Sequence, residues 1–237
     1  LNVLPIGGGS LLTSLSEGGL QYLLAGVRGT AGFKAGRYLF EVKVVEQLNP
    51  MDTGNIGAAP KPKQLLRVGF STAGSSLFLA ESTDYVCFDS EGFFAHARKR
   101  TKTIPRFDRA IVGVLLNLDD ASPNANTVSI FRDGVRVCQP QPLPEELKGK
   151  ALFPTFTFRN VTVQVNWGPA PLKPLPFRCR MAAEAAVADV ELAKVSKPAD
   201  GKQKVIFPVG LPERGLFDWV DEFIRKNPDY TELSDRQ

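Results

Sequence analysis

The chain is poor in the residues that carry most metal, redox and acid–base chemistry. It has one histidine, His96, in 237 residues. A histidine-rich metal site is therefore excluded, and an acid–base scheme built on imidazole has a single candidate. Three cysteines, Cys87, Cys138 and Cys179, are odd in number, widely spaced and without a CxxC pair. That usage fits a reducing compartment and argues against a disulfide framework. No apolar run approaches the roughly 18 residues of a membrane-spanning helix, and the start lacks the charged, apolar and small-residue order of a signal peptide. Excess charge is scarce as well: 29 Lys+Arg against 25 Asp+Glu leave +4, too little to imply nucleic-acid binding from net charge. Leu1, where a start methionine would stand, reads as the beginning of a piece of a longer protein.

What the chain has in quantity is β-strand chemistry. With 43% hydrophobic residues it can supply a real core. From Arg37 to Gly168 short strand-like runs are separated by turn residues. Phe40, Val42 and Val44 share one face of the run Tyr38–Val44. Leu65–Phe70, Ala110–Leu118, Thr127–Phe131 and Val161–Trp167 continue the pattern. In the last run Val161, Val163, Val165 and Trp167 fall on one side and Thr162, Gln164 and Asn166 on the other; one face is buried, and the other is wet or packed against a second layer. The pair Asp133-Gly134 predicts a hairpin, because glycine tolerates positive φ. Repeated short strands without long helical patterns between them predict a mainly β fold, an antiparallel sandwich. Cys87 and Cys138 read as small buried hydrophobes within strands, and Trp167 and Phe153 as core.

After Gly168 the proline-rich run Pro169–Pro176 reads as an extended exit segment that closes the domain. Met181–Lys194, rich in Ala, Glu, Val and Leu, predicts a helix. Lys204–Val209 reads as a short buried strand. A glycine loop, Gly210–Phe217, follows it, and a helix over Phe217–Lys226 is stopped by Asn227-Pro228. Strand, glycine loop and helix form the context of a phosphate-binding P-loop. Gly210 and Gly215 keep the spacing, but Leu216 and Phe217 stand where Lys and Ser/Thr would neutralise phosphate and hold Mg²⁺, and Glu213 beside Arg214 adds a negative charge. Phosphoryl transfer is not expected of such a loop.

The block Gly36-Arg37-Tyr38-Leu39-Phe40-Glu41-Val42-Lys43-Val44, then Leu66-Arg67-Val68-Gly69-Phe70-Ser71, the turn Phe131-Arg132-Asp133-Gly134, and Leu152-Phe153-Pro154 leading to Val165-Asn166-Trp167-Gly168, resemble a SPRY domain. The resemblance covers roughly residues 15–168. With Gly26-Val27-Arg28-Gly29 before the first core strand and a Gly-Leu-Pro loop behind the domain, the order of parts is similar to the ribonucleoprotein U family, in which a SPRY domain precedes a P-loop kinase-like domain. The resemblance implies a lead-in over 1–14, a SPRY domain over 15–176, a linker with a helix over 177–202, and the start of a degenerate P-loop domain over 203–237. It also implies a noncatalytic module or scaffold of a ribonucleoprotein-associated assembly that recognises a protein partner through loops at one rim. An RNA-binding or nucleotide-binding kinase-like protein, and a SPRY adaptor of a large assembly without RNA, stay open beside it. The implied setting is nuclear, with another organelle left open.

The candidate loops are 49–62, 71–76, 94–106 and 119–126. Arg98, Lys99, Arg100, Lys102 and Arg106 put five cations into nine residues beside His96, a pattern that suits RNA phosphates or an acidic protein, or else simply a solvated loop. Phe93 and Phe94 are positioned to stack on bases or to pack in the core. Asp119 and Asp120, with Asp133, are read as turn residues rather than a metal or paired-carboxylate site. Ser71, Ser75 and Ser76 lie near glycines without a nucleophile elbow. No metal, cofactor, small-molecule substrate or membrane is expected. A protein partner is, with RNA bound directly or through the complex.

Overall fold

The computed structural model describes residues 1–16, 20–50, 60–79, 82–194, 205–206 and 218–232. It divides into two compact units, Leu1–Ala193 and Lys194–Gln237. In the first unit the strands are β1 (Val3–Ile6), β2 (Leu11–Ser14), β3 (Ala25–Arg28), β4 (Ala31–Phe33), β5 (Gly36–Gln47), β6 (Leu65–Ser71), β7 (Tyr85–Asp89), β8 (Phe93–His96) and β9 (Lys99–Lys102). They continue with β10 (Ile111–Leu118), β11 (Thr127–Arg132), β12 (Val135–Arg136), β13 (Gln141–Pro142), β14 (Phe153–Arg159), β15 (Val161–Asn166), β16 (Arg180–Met181) and β17 (Val190–Leu192). One sheet runs β1-β2-β15-β5-β10-β11-β12, with β13 beside β11 and β16 beside β5; the facing sheet runs β3-β14-β6-β7-β8-β9. Apart from the parallel β16–β5 pair, the pairings in this unit are antiparallel, so the expected mainly β, sandwich-type fold is what the chain adopts.

The period-2 alternation explains the core. Phe40, Val42 and Val44 of β5, Val112, Val114 and Leu116 of β10, and Val161, Val163 and Val165 of β15 point inward. They meet Leu66, Val68 and Phe70 of β6 and Phe156 and Phe158 of β14. Phe40 sits at the centre, edge-on to Phe70 at 5.5 Å and tilted against Trp167 at 5.6 Å. Asp133 and Gly134, with φ of 51° and 86°, form the predicted hairpin turn between β11 and β12.

Three expectations need correction. First, the run after Gly168 does not leave the sandwich but straps across its outer face. Leu175, Phe177 and Cys179 pack on Leu39, Leu115, Phe131 and Met181, a second and smaller cluster behind the first sheet. Buried Glu41 holds the strap by accepting hydrogen bonds from Asn166 Nδ2 at 2.8 Å and from the Leu172 amide at 2.6 Å. Second, Met181–Lys194 is not a helix. Its backbone bonds to the sandwich: the Ala186 amide donates to Tyr38 Oη, the Asp189 carbonyl accepts from Lys34, and β17 pairs with β4. Those partners outcompete the helix propensity of an alanine-rich run that lacks a continuous apolar stripe, with Val187 left 92% exposed. Third, Cys138 lies between β12 and β13 and is half-buried, whereas Cys87 lies within β7 and is fully buried.

In the second unit β18 (Val205–Ile206), α1 (Asp218–Lys226) and β19 (Thr231–Glu232) are described, with β18 and β19 paired in parallel. α1 ends where expected, and Asn227 caps it with its amide and Nδ2 on the Phe223 carbonyl, both at 2.9 Å. The loop residues Gly210, Glu213, Arg214, Gly215, Leu216 and Phe217 lie outside the described residues.

Candidate partner-binding rim

The strand registers sort the expected loops onto two opposite ends of the sandwich. Ser71 pairs with Tyr85 and with Phe153, His96 lies at the open end of β8, and Arg28 pairs with Thr155. Loop 71–76 and the β8–β9 turn at Ala97-Arg98 therefore share one end with the β3–β4 turn. Leu118 pairs with Gly36, and Phe33 bridges to Leu152, which puts loop 119–126 at that end too. Gln47 and Leu65 lie at the other end, so the described flanks of loop 49–62 belong there, as does Thr103, bonded to Gly92. Residues 51–59 lie outside the described residues. The first end is the richer rim.

A groove of about 660 Å³ opens at this rim, walled by Leu12, Val27, Phe33, Phe156, Val165 and Trp167. Arg28 stands at its edge and is spent on the neighbouring loop. Its Nε donates to Ser71 Oγ at 3.0 Å, and its Nη2 to the Ser75 carbonyl and Oγ, both at 2.7 Å, and to the Ser76 carbonyl at 2.9 Å. Burial lowers the Arg28 pKa from its ordinary value, and four acceptors on one loop offset the cost of placing that charge there. Loop 71–76 is thus a braced element. The sequence contains this clamp as Gly26-Val27-Arg28-Gly29 but gives no sign of its acceptors, which lie more than forty residues away.

The cationic run is a strand rather than a loop. Lys99–Lys102 form β9, the free edge of the second sheet, exposed along its whole length. Ala97 and Arg98, with φ of 47° and 66°, make a tight turn that no Asn-Gly signature announced. Arg100, Lys102 and Arg106 are held by groups of the sandwich itself. Arg100 Nη2 donates to Asp89 Oδ2 at 2.6 Å, and that carboxylate is only 1% exposed. Arg106 lies 3.2 Å from Asp108 and 3.5 Å from Glu91, while Lys102 Nζ donates to the Glu91 carbonyl. Arg100 and Lys102 also sit over the Phe93 ring, at 4.3 Å and 5.0 Å from its centroid, so that ring is already covered. Phe94 packs against Phe88 in the core, 5.1 Å away. Lys99 stays solvent-exposed, and His96 is engaged: its Nδ1–H donates to the Tyr85 carbonyl at 2.8 Å, with Glu146 3.7 Å from Nε2.

Asp119 accepts from the Ala121 amide at 3.1 Å, a turn bond; Asp120 is exposed, and Asp133 accepts from the Ile111 amide at the far end of the sheet. The three carboxylates do not assemble, and no group of three or more possible metal ligands occurs among the described residues. No described helix is long and apolar enough to cross a membrane.

Two sheets in this order, with loops gathered at one rim, make a SPRY-type β-sandwich. The solved SPRY domain of human HERC1 superposes with a TM-score of 0.50 at 17% identity, covering 72% of this chain and 96% of that one. In sequence the chain is similar to Heterogeneous nuclear ribonucleoprotein U-like protein 2 of Mus musculus, 27% identical over 213 residues, and to its Homo sapiens counterpart, 26% identical over 211. Each alignment takes in 87% of this chain and 27% of the relative, so the chain spans about a quarter of the length of these relatives. No family model matches the sequence.

Proposed function

We propose that the chain is a noncatalytic interaction module in a ribonucleoprotein-associated assembly, which docks a protein partner on the rim formed by loops 71–76 and 119–126 and the Ala97-Arg98 turn. The observation that carries this reading is the Arg28 clamp, which holds loop 71–76 rigid beside an apolar groove; bracing a surface loop lowers the ordering cost of binding. The ribonucleoprotein setting and the nuclear compartment rest on the similarity to the U-like relatives. The second unit acts as a scaffold, since Leu216 and Phe217 replace the cation and hydroxyl that Mg-ATP chemistry requires. Affinity capture from extract tests the reading, with wild type beside Ala73→Arg and Asn124→Arg, two exposed rim positions. Partners retained after nuclease treatment and lost in these variants support it; retention by both variants refutes the rim.

A second reading has its own observation. The exposed β9 edge, with Lys99 and its neighbours, suits RNA phosphates, and capture that disappears with nuclease and with Lys99→Glu would favour it over direct protein docking.

A further inference from the structure

The strap brings two arginines to a third at the same rim. Phe177, Cys179 and Met181 alternate inward onto the outer cluster, so Arg178 and Arg180 face outward. Arg37, on the outer face at the start of β5, joins them around a cavity of about 430 Å³ that Tyr38, Asp119 and Asp189 also line. Both carboxylates are engaged, Asp189 by the Tyr38 hydroxyl at 2.5 Å and Asp119 by the Ala121 amide. Arg37 donates to the Arg178 carbonyl at 3.3 Å, and Arg180 lies beside the Tyr38 hydroxyl. None of the three guanidinium groups forms an ion pair with a carboxylate among the described residues.

We infer that this cavity binds a phosphate monoester, carried on a serine or threonine side chain of the protein partner. Guanidinium forks match phosphate oxygens two at a time, which a set of lysines would not do. A compact pocket of three arginines suits one concentrated dianion. A nucleic-acid backbone, with one charge per phosphodiester, is better met by an extended cationic edge such as β9. The inference rests on the rim being the partner-facing surface, but its chemistry is testable without the partner.

Amide shifts of the chain are followed by NMR during titration with O-phospho-L-serine, with inorganic phosphate and with a short oligouridylate. The expected result is saturable movement of Gly36, Asp119 and Cys179 with phosphoserine, weakened about tenfold or more in Arg178→Ala/Arg180→Ala. The paired lysine variant should recover only part of the loss. Unchanged phosphoserine binding by the alanine variant overturns the site. Binding of inorganic phosphate alone overturns the side-chain source, and oligouridylate shifts that phosphoserine does not displace assign the pocket to RNA instead. In the capture assay, phosphatase treatment of the extract should release the partner. If phosphatase has no effect while Ala73→Arg still abolishes capture, the interaction module stands and the phosphate pocket falls.

Discussion

Replacing Met181 by alanine separates a packed strap from a solvated exit segment, because the two predict opposite signs. Met181 is 0% exposed and closes the cluster of Leu39, Leu115 and Phe131 on the outer face of the first sheet. Truncating a buried Met to Ala removes its transfer free energy and leaves a cavity, at a cost of about 2 to 5 kcal/mol. A value near 3 kcal/mol lowers the melting temperature of a unit this size by roughly 6 to 12 °C. Were residues 181–194 a surface helix, the same change would be neutral or stabilising, since alanine is the best helix former. Urea and thermal unfolding followed in the β-sheet circular-dichroism band measure the difference. Val187→Ala, at a position 92% exposed, is the internal control and should move stability by less than about 0.5 kcal/mol. If Met181→Ala melts within error of Val187→Ala, the strap does not pack and the second cluster is an error.

Four further outcomes follow from local geometry. Burial pushes the Cys87 thiol up to about 12 from 9.0, so its contribution to stability is complete below the unfolded value and is lost as pH rises from about 9 towards 12. An aromatic disulfide reagent at mildly alkaline pH should label the half-buried Cys138 and Cys179 in the folded chain and Cys87 only after urea, and prompt labelling of Cys87 contradicts its burial. Arg28→Ala should cost about 1 to 3 kcal/mol and strip hydrogen-exchange protection from residues 71–79 rather than from β10; unaltered exchange there would mean the clamp is idle. At Gly69 an added Cβ would lie 2.0 Å from the Val86 carbonyl oxygen, so Gly69→Ala should break the β6–β7 pairing and lose more stability than Met181→Ala; a wild-type melt would refute the register.

The sandwich was legible where one side chain in two carries the message. β5, β10 and β15 each alternate strongly enough to show their inner face, and Asp133-Gly134 announces its turn because only certain residues accept that backbone. The strap was not legible, since a proline-rich run has no period to read. Its trace lay elsewhere, in the opposite-parity residues Leu39, Leu115 and Phe131, which are apolar on the face that a two-layer sandwich would leave wet. The rim was half legible: turn residues mark loops 71–76 and 119–126, but partners decide what the cations do. Arg100 reads as a free charge until the register of β8 with β9 brings it to Asp89, and Arg28 reads as one until loop 71–76 folds over it.

The way the strap is fastened also gives the first unit a mechanical character. A pull arriving along the backbone at Ala193 meets first its single hydrogen bond to the Thr30 carbonyl, then the three residue pairs of β17 and β4, then Lys34 and Tyr38 on Asp189, then Ala183 on Trp167. Because these links lie in order along the backbone, a pull directed away from β4 peels them one after another and does not load them together. Tension is taken up by weak fasteners in series, each able to re-form, before any of it reaches the strands that enclose Phe40.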